Sequence, residues 1–337
     1  MKRIALIPGD GIGPEVAEAA LKTLEAACRC CGACLEIVTL EAGDAAAART
    51  GTPLPHETLK EILRSDAVLK APVGETAYDV IVELRRRLDL YANIRPAKCI
   101  QGAPCIRSDI DLVIVRENIE GIYIGVEYAD KETAIALKAI TRRNTERLAE
   151  TAATIARKRR NKATIVHKAN VLKKTDGLFR DTARKTLERH GVQVDEAYVD
   201  AAAALIARNP SRFDTIVTMN QYGDILSDLA AEIAGGLGLA PSANIGPPST
   251  PPVFEPVHGA AWDIAGKNKA NPTAMILSAA MMLEWLGYRD TAKTLTRAIE
   301  ETITKGTRTP DLGGNATTQQ YAEEVAERVC AACSGNH

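Results

Sequence analysis

The chain has 337 residues, with 42 Lys and Arg against 43 Asp and Glu and a formal net charge of −1. That balance gives no general electrostatic case for nucleic acid or an anionic membrane, and 4% aromatic residues offer little for stacking on bases. The length suffices for a full core and suggests two domains, and no apolar run reaches the roughly 20 residues of a membrane span.

The start, "MKRIALIPGDGIG", lacks a secretory leader's long apolar stretch and small-residue cleavage site, so a cytoplasmic protein is expected, with "RIALI" as its first strand. "IPGDGIGPEV" then invites a dinucleotide fingerprint, but Gly9, Gly11 and Gly13 are spaced GxGxG rather than GxGxxG. With Pro14 suited to the first turn of a helix, a structural strand-to-helix turn is the better reading. Ala17, Leu21, Leu24, Cys28 and Cys31 follow at 4-3-4-3 spacing. Two cysteines of "CRCCGAC" (28–34) therefore belong to a helix's apolar stripe, as buried thiols rather than metal ligands. Cys99 and Cys105 bracket "IQGAP", and Cys330 and Cys333 form a CxxC. Either pair is a candidate disulfide if the source is a hyperthermophile, where intracellular disulfides occur.

Farther along, "CLEIVTL", "AVLKAPV", "DLVIVREN", "ATIVHKAN", "EAYVDA" and "DTIVTMN" predict strands. They alternate with amphipathic stretches such as "PEVAEAALKTLEAAC" and "LFRDTARKTLERHG", which argues for an α/β architecture. "GIYIGVEYADKETAIALKAIT", about 122–141, reads as a hairpin outside the main layering. "RKRRNK" (157–162) is expected to be the solvated end of a helix, and "GPPSTPP" (246–252) a surface connection. From "NPTAMILSAAMMLEWLG" onward the pattern is mostly helical.

Several polar residues sit where chemistry is expected. Asp224 and Asp228 in "YGDILSD" are four apart, so on a helix their carboxylates project from one face and repel unless a cation lies between them. Hard oxygen donors favour magnesium or manganese, and Asp200 in "VDAAAALI", placed at a strand end, is a third candidate ligand. Arg116 ends one apolar strand, with Tyr123 seven residues on; Lys168 and Asn170 end another. Strand ends are where α/β sites collect, and a Lys and a Tyr suit proton transfer. "VIVELRRRLDLYANIRP" (80–96) adds Arg85 and Arg95 beside an apolar Val-Ile-Val.

Taken together, "GDGIGPE", "LRRRLDLYANIRP", "VRENIEGIY", "HKANVL", "GDILSD", "FEPVHGAAWDIAGK" and "RTPDLGGNATT" resemble the metal-dependent β-decarboxylating dehydrogenases, the isocitrate and 3-isopropylmalate dehydrogenase family. The resemblance covers nearly the whole chain. It implies a two-domain fold distinct from the standard Rossmann fold: residues 1–98 with 246–337 forming a discontinuous cofactor-binding domain, and 99–245 a central domain carrying the hairpin. It implies oxidation of a 2-hydroxy acid at C2, loss of the adjacent carboxylate as CO2, and protonation of the resulting enolate. Arg85, Arg95 and Arg116 would hold the malate carboxylates, with Asn170 and Asp200 also at the substrate. Asp200, Asp224 and Asp228 would hold Mg2+ or Mn2+. Lys168 would take the hydroxyl proton and Tyr123 would protonate carbon. The same resemblance implies a homodimer, with a tetramer as a further option, in which Lys168 and Asp200 reach into the partner's site. The cofactor would lie against His258, Gly259, Asp263, Ile264 and Asn271. An acid at 263 favours NAD, because NADP-using members carry Lys and Tyr at 263 and 264.

Substrate choice then falls on the residues before Arg85. Where isocitrate-specific members place Ser and Asn, this chain has Asp79 and Ile81; where homoisocitrate-specific members place Arg, it has Val82. An apolar wall of Val80, Ile81 and Val82 fits a branched alkyl group, so 3-isopropylmalate, an intermediate of leucine biosynthesis, is the expected substrate. The alternatives are a homoisocitrate, isocitrate or broad-range malate-type dehydrogenase and, from another class, a non-catalytic regulatory member.

Overall fold

The structure, a computed structural model, describes residues 1–334. Its strands are β1 (Lys2–Ile7), β2 (Leu35–Thr39), β3 (Ala67–Lys70), β4 (Ala92–Lys98), β5 (Asp111–Glu117), β6 (Glu127–Ala129), β7 (Ala134–Ala136), β8 (Lys162–His167), β9 (Gln193–Tyr198), β10 (Thr215–Thr218), β11 (Pro241–Ile245) and β12 (Val253–Pro256). The helices are α1 (Gly13–Cys31), α2 (Asp44–Thr50), α3 (His56–Leu63), α4 (Ala77–Arg87), α5 (Arg142–Lys158), α6 (Thr175–Arg189), α7 (Val199–Arg208), α8 (Asn220–Ile233), α9 (Thr273–Trp285), α10 (Arg289–Thr304) and α11 (Thr318–Ser334).

Ten strands make one sheet in the order β2-β1-β3-β12-β11-β4-β5-β10-β8-β9. The outer pairings are parallel, which needs long, mostly helical crossovers, while β12–β11, β11–β4 and β4–β5 are antiparallel. The apolar clusters segregate along this sheet. Two draw on β1, β3, α1, α4 and α9–α11, and two on β5, β8, β10 and α5–α8. β6 and β7 pair separately as the expected hairpin, and Val126, Tyr128, Ile135 and Leu137 stand exposed around it. No helix of the described residues is long and apolar enough to cross a membrane.

The first turn is structural, as its spacing suggests. Gly9 (φ 67°) lies so close to Pro72 that a Cβ would sit 1.8 Å from the Pro72 carbonyl oxygen. Between the glycines, Asp10 accepts the backbone N–H groups of Asp44, Ala45 and Gly74, at 2.9, 3.2 and 3.1 Å, anchoring the start of α2. The basic end of α5 is less free than its charge suggests, because Arg159 pairs with Asp111 and Asp214, and Arg160 with Asp214.

The cysteines correct the sequence reading. Cys28 is a free, half-buried thiol packed against the core, and burial raises its pKa. Cys31, expected as a plain buried thiol, is bonded to Cys333, and Cys30 to Cys330. The CxxC does not close on itself because residues three apart on α11 share the face packed on α1, where Cα–Cα separations of 5.1 and 5.4 Å suit bonding. Cys99 and Cys105 do pair with each other.

Candidate active site

The arginines come from three adjacent elements. β4 and β5 are antiparallel with Asn93 opposite Arg116, so Asn93, Arg95 and Arg116 share one face of the sheet. Arg85 reaches the same region from α4. All three arginines are buried, Arg116 being only 1% exposed. α8 lies across them, and Gly223 allows the approach: a Cβ there would meet the Arg116 Cγ at 2.6 Å.

This packing brings Asp224 against the guanidinium groups. It accepts hydrogen bonds from Arg116, from Arg95 Nη1 at 3.2 Å and from the Tyr123 hydroxyl at 2.7 Å. Burial alone would raise its pKa, but Arg116 and Arg95 outweigh that and hold it below the usual carboxylate range. Asp228 is different. Its contact with Arg95 is 3.4 Å, and burial keeps its pKa raised despite that neighbour. It is thus a carboxylate whose charge the protein compensates only in part, one turn from a second carboxylate, which is a donor set suited to a hard divalent cation. Burial, followed by the hydrogen bond to Asp224, pushes the Tyr123 hydroxyl up, so it stays a proton donor over the physiological range. Burial and the Arg116 charge bring Arg95 down to about 9. Three buried guanidiniums and the buried ammonium of Lys70 thus stand against three carboxylates, Asp224, Asp228 and Glu255, and this excess of one positive charge suits an anion.

Lys168 and Asp200 lie elsewhere. Lys168 Nζ donates to Asp200 Oδ1 at 2.6 Å, and neither residue bonds to Asp224, Asp228 or the arginines. Asp200 belongs to the first turn of α7 rather than to a strand end, because β9 stops at Tyr198. Asn170 is exposed just after Lys168. Among the described residues, no three His, Cys, Asp or Glu side chains gather closely enough to hold one ion. One chain thus carries two carboxylates of the expected three at the arginine cluster.

The apolar wall is corrected in one member. Val80 is 0% exposed and packs into the core with Leu84 and Leu88, so it faces no ligand. Ile81 is half-buried one turn before Arg85, and Val82 lines a cleft with Leu54, Leu59, Tyr78 and Arg86. Arg86 donates to the Tyr123 carbonyl at 2.7 Å, which ties that cleft to the tyrosine.

His258, Gly259, Ile264 and Asn271 line another cleft with Ile12, Leu237 and Asp311. Asp263 stands exposed beside it. His258 Nε2 is buried without a hydrogen-bond partner among the described residues, as a site awaiting a polar ligand would leave it. Asn220, Ser227, Asn93 and Asn244 escaped the sequence reading. Asn220 accepts from two Arg116 nitrogens, at 3.1 and 2.7 Å, and Ser227 from Arg95 at 2.8 Å. Neutral amides and hydroxyls are common everywhere, so only their contacts identify them.

A family profile described as isocitrate/isopropylmalate dehydrogenase matches residues 3–327. The 3-isopropylmalate dehydrogenase of Archaeoglobus fulgidus is 51% identical over 328 residues, covering 97% of this chain and 99% of that protein. The isocitrate/homoisocitrate dehydrogenase of Thermus thermophilus is 50% identical over 335 residues, covering 97% and 98%. Among solved structures, an isocitrate dehydrogenase from Methylococcus capsulatus aligns with a TM-score of 0.92 at 44% identity, covering 98% of this chain and 100% of that one.

Proposed function

The chain belongs to the isocitrate/isopropylmalate dehydrogenase family, a group of β-decarboxylating dehydrogenases, and from that premise we propose that it oxidatively decarboxylates 3-isopropylmalate to 4-methyl-2-oxopentanoate with NAD, in leucine biosynthesis. The observation that carries the substrate choice is on α4. The turn before Arg85 carries Ile81 and Val82 and no cation, and the two arginines of the cleft that Val82 lines are already engaged, Arg86 by the Tyr123 carbonyl and Arg87 by Glu83. Burying an isopropyl group there is worth about 1.5–3 kcal/mol, whereas an unpaired carboxylate would cost several.

In this reading Arg85, Arg95 and Arg116 fix the two malate carboxylates, which displaces Asp224 from part of its arginine contacts. Asp224 and Asp228, with Asp200 of the partner subunit, would hold Mg2+ or Mn2+, which when bound supplies Lewis-acid stabilisation of the negative charge that develops on oxygen. His258, Gly259, Ile264 and Asn271, with Asp263 at the ribose, would hold NAD, which when bound supplies the hydride acceptor for C2. Lys168 of the partner subunit removes the hydroxyl proton, with Asn170 beside it, and Tyr123 delivers a proton to carbon after CO2 leaves. The exposed apolar hairpin is the natural clasp of such a homodimer. A division into lobes 1–98 with 246–337 and 99–245 would put the reacting atoms between them; the apolar clusters follow it except at the joins, where residues such as Leu239, Ala243 and Ile245 pack with the first lobe and Ala92 and Ala97 with the second. We take the protein to work in the cytoplasm.

The test is NADH formation with magnesium and 3-isopropylmalate, isocitrate or homoisocitrate. The expected kcat/KM for 3-isopropylmalate exceeds that for isocitrate by two orders of magnitude or more, because the error leaves a charge unpaired. A ratio near one would leave the reaction class standing and sink the substrate. The Thermus relative, at nearly the same identity, is the reason homoisocitrate belongs in the panel.

Cofactor choice is expected to follow Asp263, whose carboxylate would repel a 2′-phosphate. NAD should be strongly preferred, and Asp263→Lys with Ile264→Tyr should shift the kcat/KM ratio toward NADP. Equal use of both cofactors by the unaltered enzyme would refute the ribose argument.

A further inference from the structure

Behind the arginine cluster lies a buried amide with more partners than any side chain in the site. Asn244, on β11, is 0% exposed. Its Oδ1 accepts from Arg85 Nε at 3.1 Å, from Asn93 Nδ2 at 2.8 Å and from Asn118 Nδ2 at 2.9 Å. Its Nδ2 donates to the Val253 carbonyl at 3.1 Å and to Glu255 Oε1 at 2.9 Å. The orientation of the amide is unambiguous, since an arginine nitrogen can only donate and a backbone carbonyl can only accept. Glu255 in turn pairs with buried Lys70 at 2.8 Å and lies 3.5 Å from Arg85 Nη2. Asn93 passes the constraint on, because its Oδ1 accepts from Arg95 Nε at 2.5 Å.

We propose that Asn244 is a positioning residue that sets the guanidinium planes of Arg85, directly, and of Arg95, through Asn93, before substrate arrives. A guanidinium is a rigid planar fork, so fixing its Nε edge fixes the direction in which its terminal N–H groups point. Arg85 is held at Nε and, at longer range, at one terminal nitrogen. Its other terminal nitrogen has no protein partner among the described residues and is left for an anion. The anchor sits on a strand rather than a loop. β11 pairs with β4, which carries Asn93 and Arg95, and with β12, which carries Glu255, so the sheet itself sets these distances. The ligand that benefits is a dicarboxylate, and in this respect the inference rests on the function proposed above.

The experiment has two readouts. Asn244→Ala, checked for folding by circular dichroism and native mass, is expected to raise the KM for 3-isopropylmalate roughly tenfold or more, with the KM for NAD within about twofold. In a double-mutant cycle with Arg85→Lys the two losses should fall short of additive, because the second change removes the group the first was holding. An unchanged substrate KM, equal effects on both KM values, or full additivity would overturn the proposal. The second readout needs no turnover and no Asn244 variant, only a folded Arg85→Lys protein for assignment. In the folded wild-type protein the 15N-labelled Arg85 Nε–H, assigned by its loss in Arg85→Lys, should exchange slowly with solvent. Rapid exchange there overturns the positioning role. If the wild-type enzyme oxidises none of the acids tested, the proposed function falls, and the exchange measurement still decides this inference.

Discussion

Lys168→Ala and Tyr123→Phe variants are each expected to lose at least about a hundredfold in turnover, since in the proposed reaction each removes a proton-transfer group. Mixed together under exchange conditions, they should regain activity. Within one chain Tyr123 is bonded to Asp224, while Lys168 is bonded to Asp200 in a separate group. If a complete site takes the tyrosine from one subunit and the lysine from the other, a mixed dimer holds one site with both residues intact and one with both altered. Random reassortment then restores about a quarter of wild-type activity, since about half the dimers are mixed. Steady-state rates before and after mixing measure this, with exchange confirmed by native mass. Full exchange without recovery would mean that Lys168 and Tyr123 act within one chain.

The second large effect concerns stability. Cys30–Cys330 and Cys31–Cys333 each span about the whole chain, with separations of 300 and 302 residues. In the chain-entropy account, closing a loop of that size stabilises the folded state by about 5 kcal/mol, on the order of 10 °C in melting temperature. The two bonds are adjacent, so the second closes only a short additional ring. Cys30→Ser with Cys330→Ser should therefore cost little, and so should Cys31→Ser with Cys333→Ser. Removing all four thiols, or adding a reductant, should cost most of the total. Thermal and denaturant unfolding of the three variants checks this. Equal losses from one pair and from both would show that the bonds act through local packing instead.

The α/β alternation, the separate hairpin and the strand-to-helix turn at Gly9–Gly13 were all legible in the sequence, because each rests on spacing within a dozen residues. So was the pairing of Asp224 with Asp228, which one helical turn dictates. The placement of Arg116 with Asp224 and Tyr123 was foreseeable only through the resemblance of long motifs; nothing local says that α8 lies across β5, or that Gly223 is what lets it. The α4 segment shows where local reading ends. "VIV" is apolar at three consecutive positions, yet consecutive residues on a helix point about 100° apart, so Val80 is wholly enclosed in the core, Ile81 is half-buried against it, and Val82, though mostly buried, lines a cleft. The cysteines show the same limit at longer range. The stripe through Cys28 and Cys31 was visible, but the bonding of Cys30 and Cys31 depended on α11 packing against α1 from the far end of the chain.

Asn244 is the extreme case, an ordinary amide whose importance lies in partners on α4, β4, β12 and the segment after β5. Sequence by itself determined which residue types could do the chemistry and which elements carry them, because periodicity and motif spacing are local. The tertiary structure alone decided which of them meet, because the order of strands in the sheet, and not distance along the chain, sets what a buried polar group can reach.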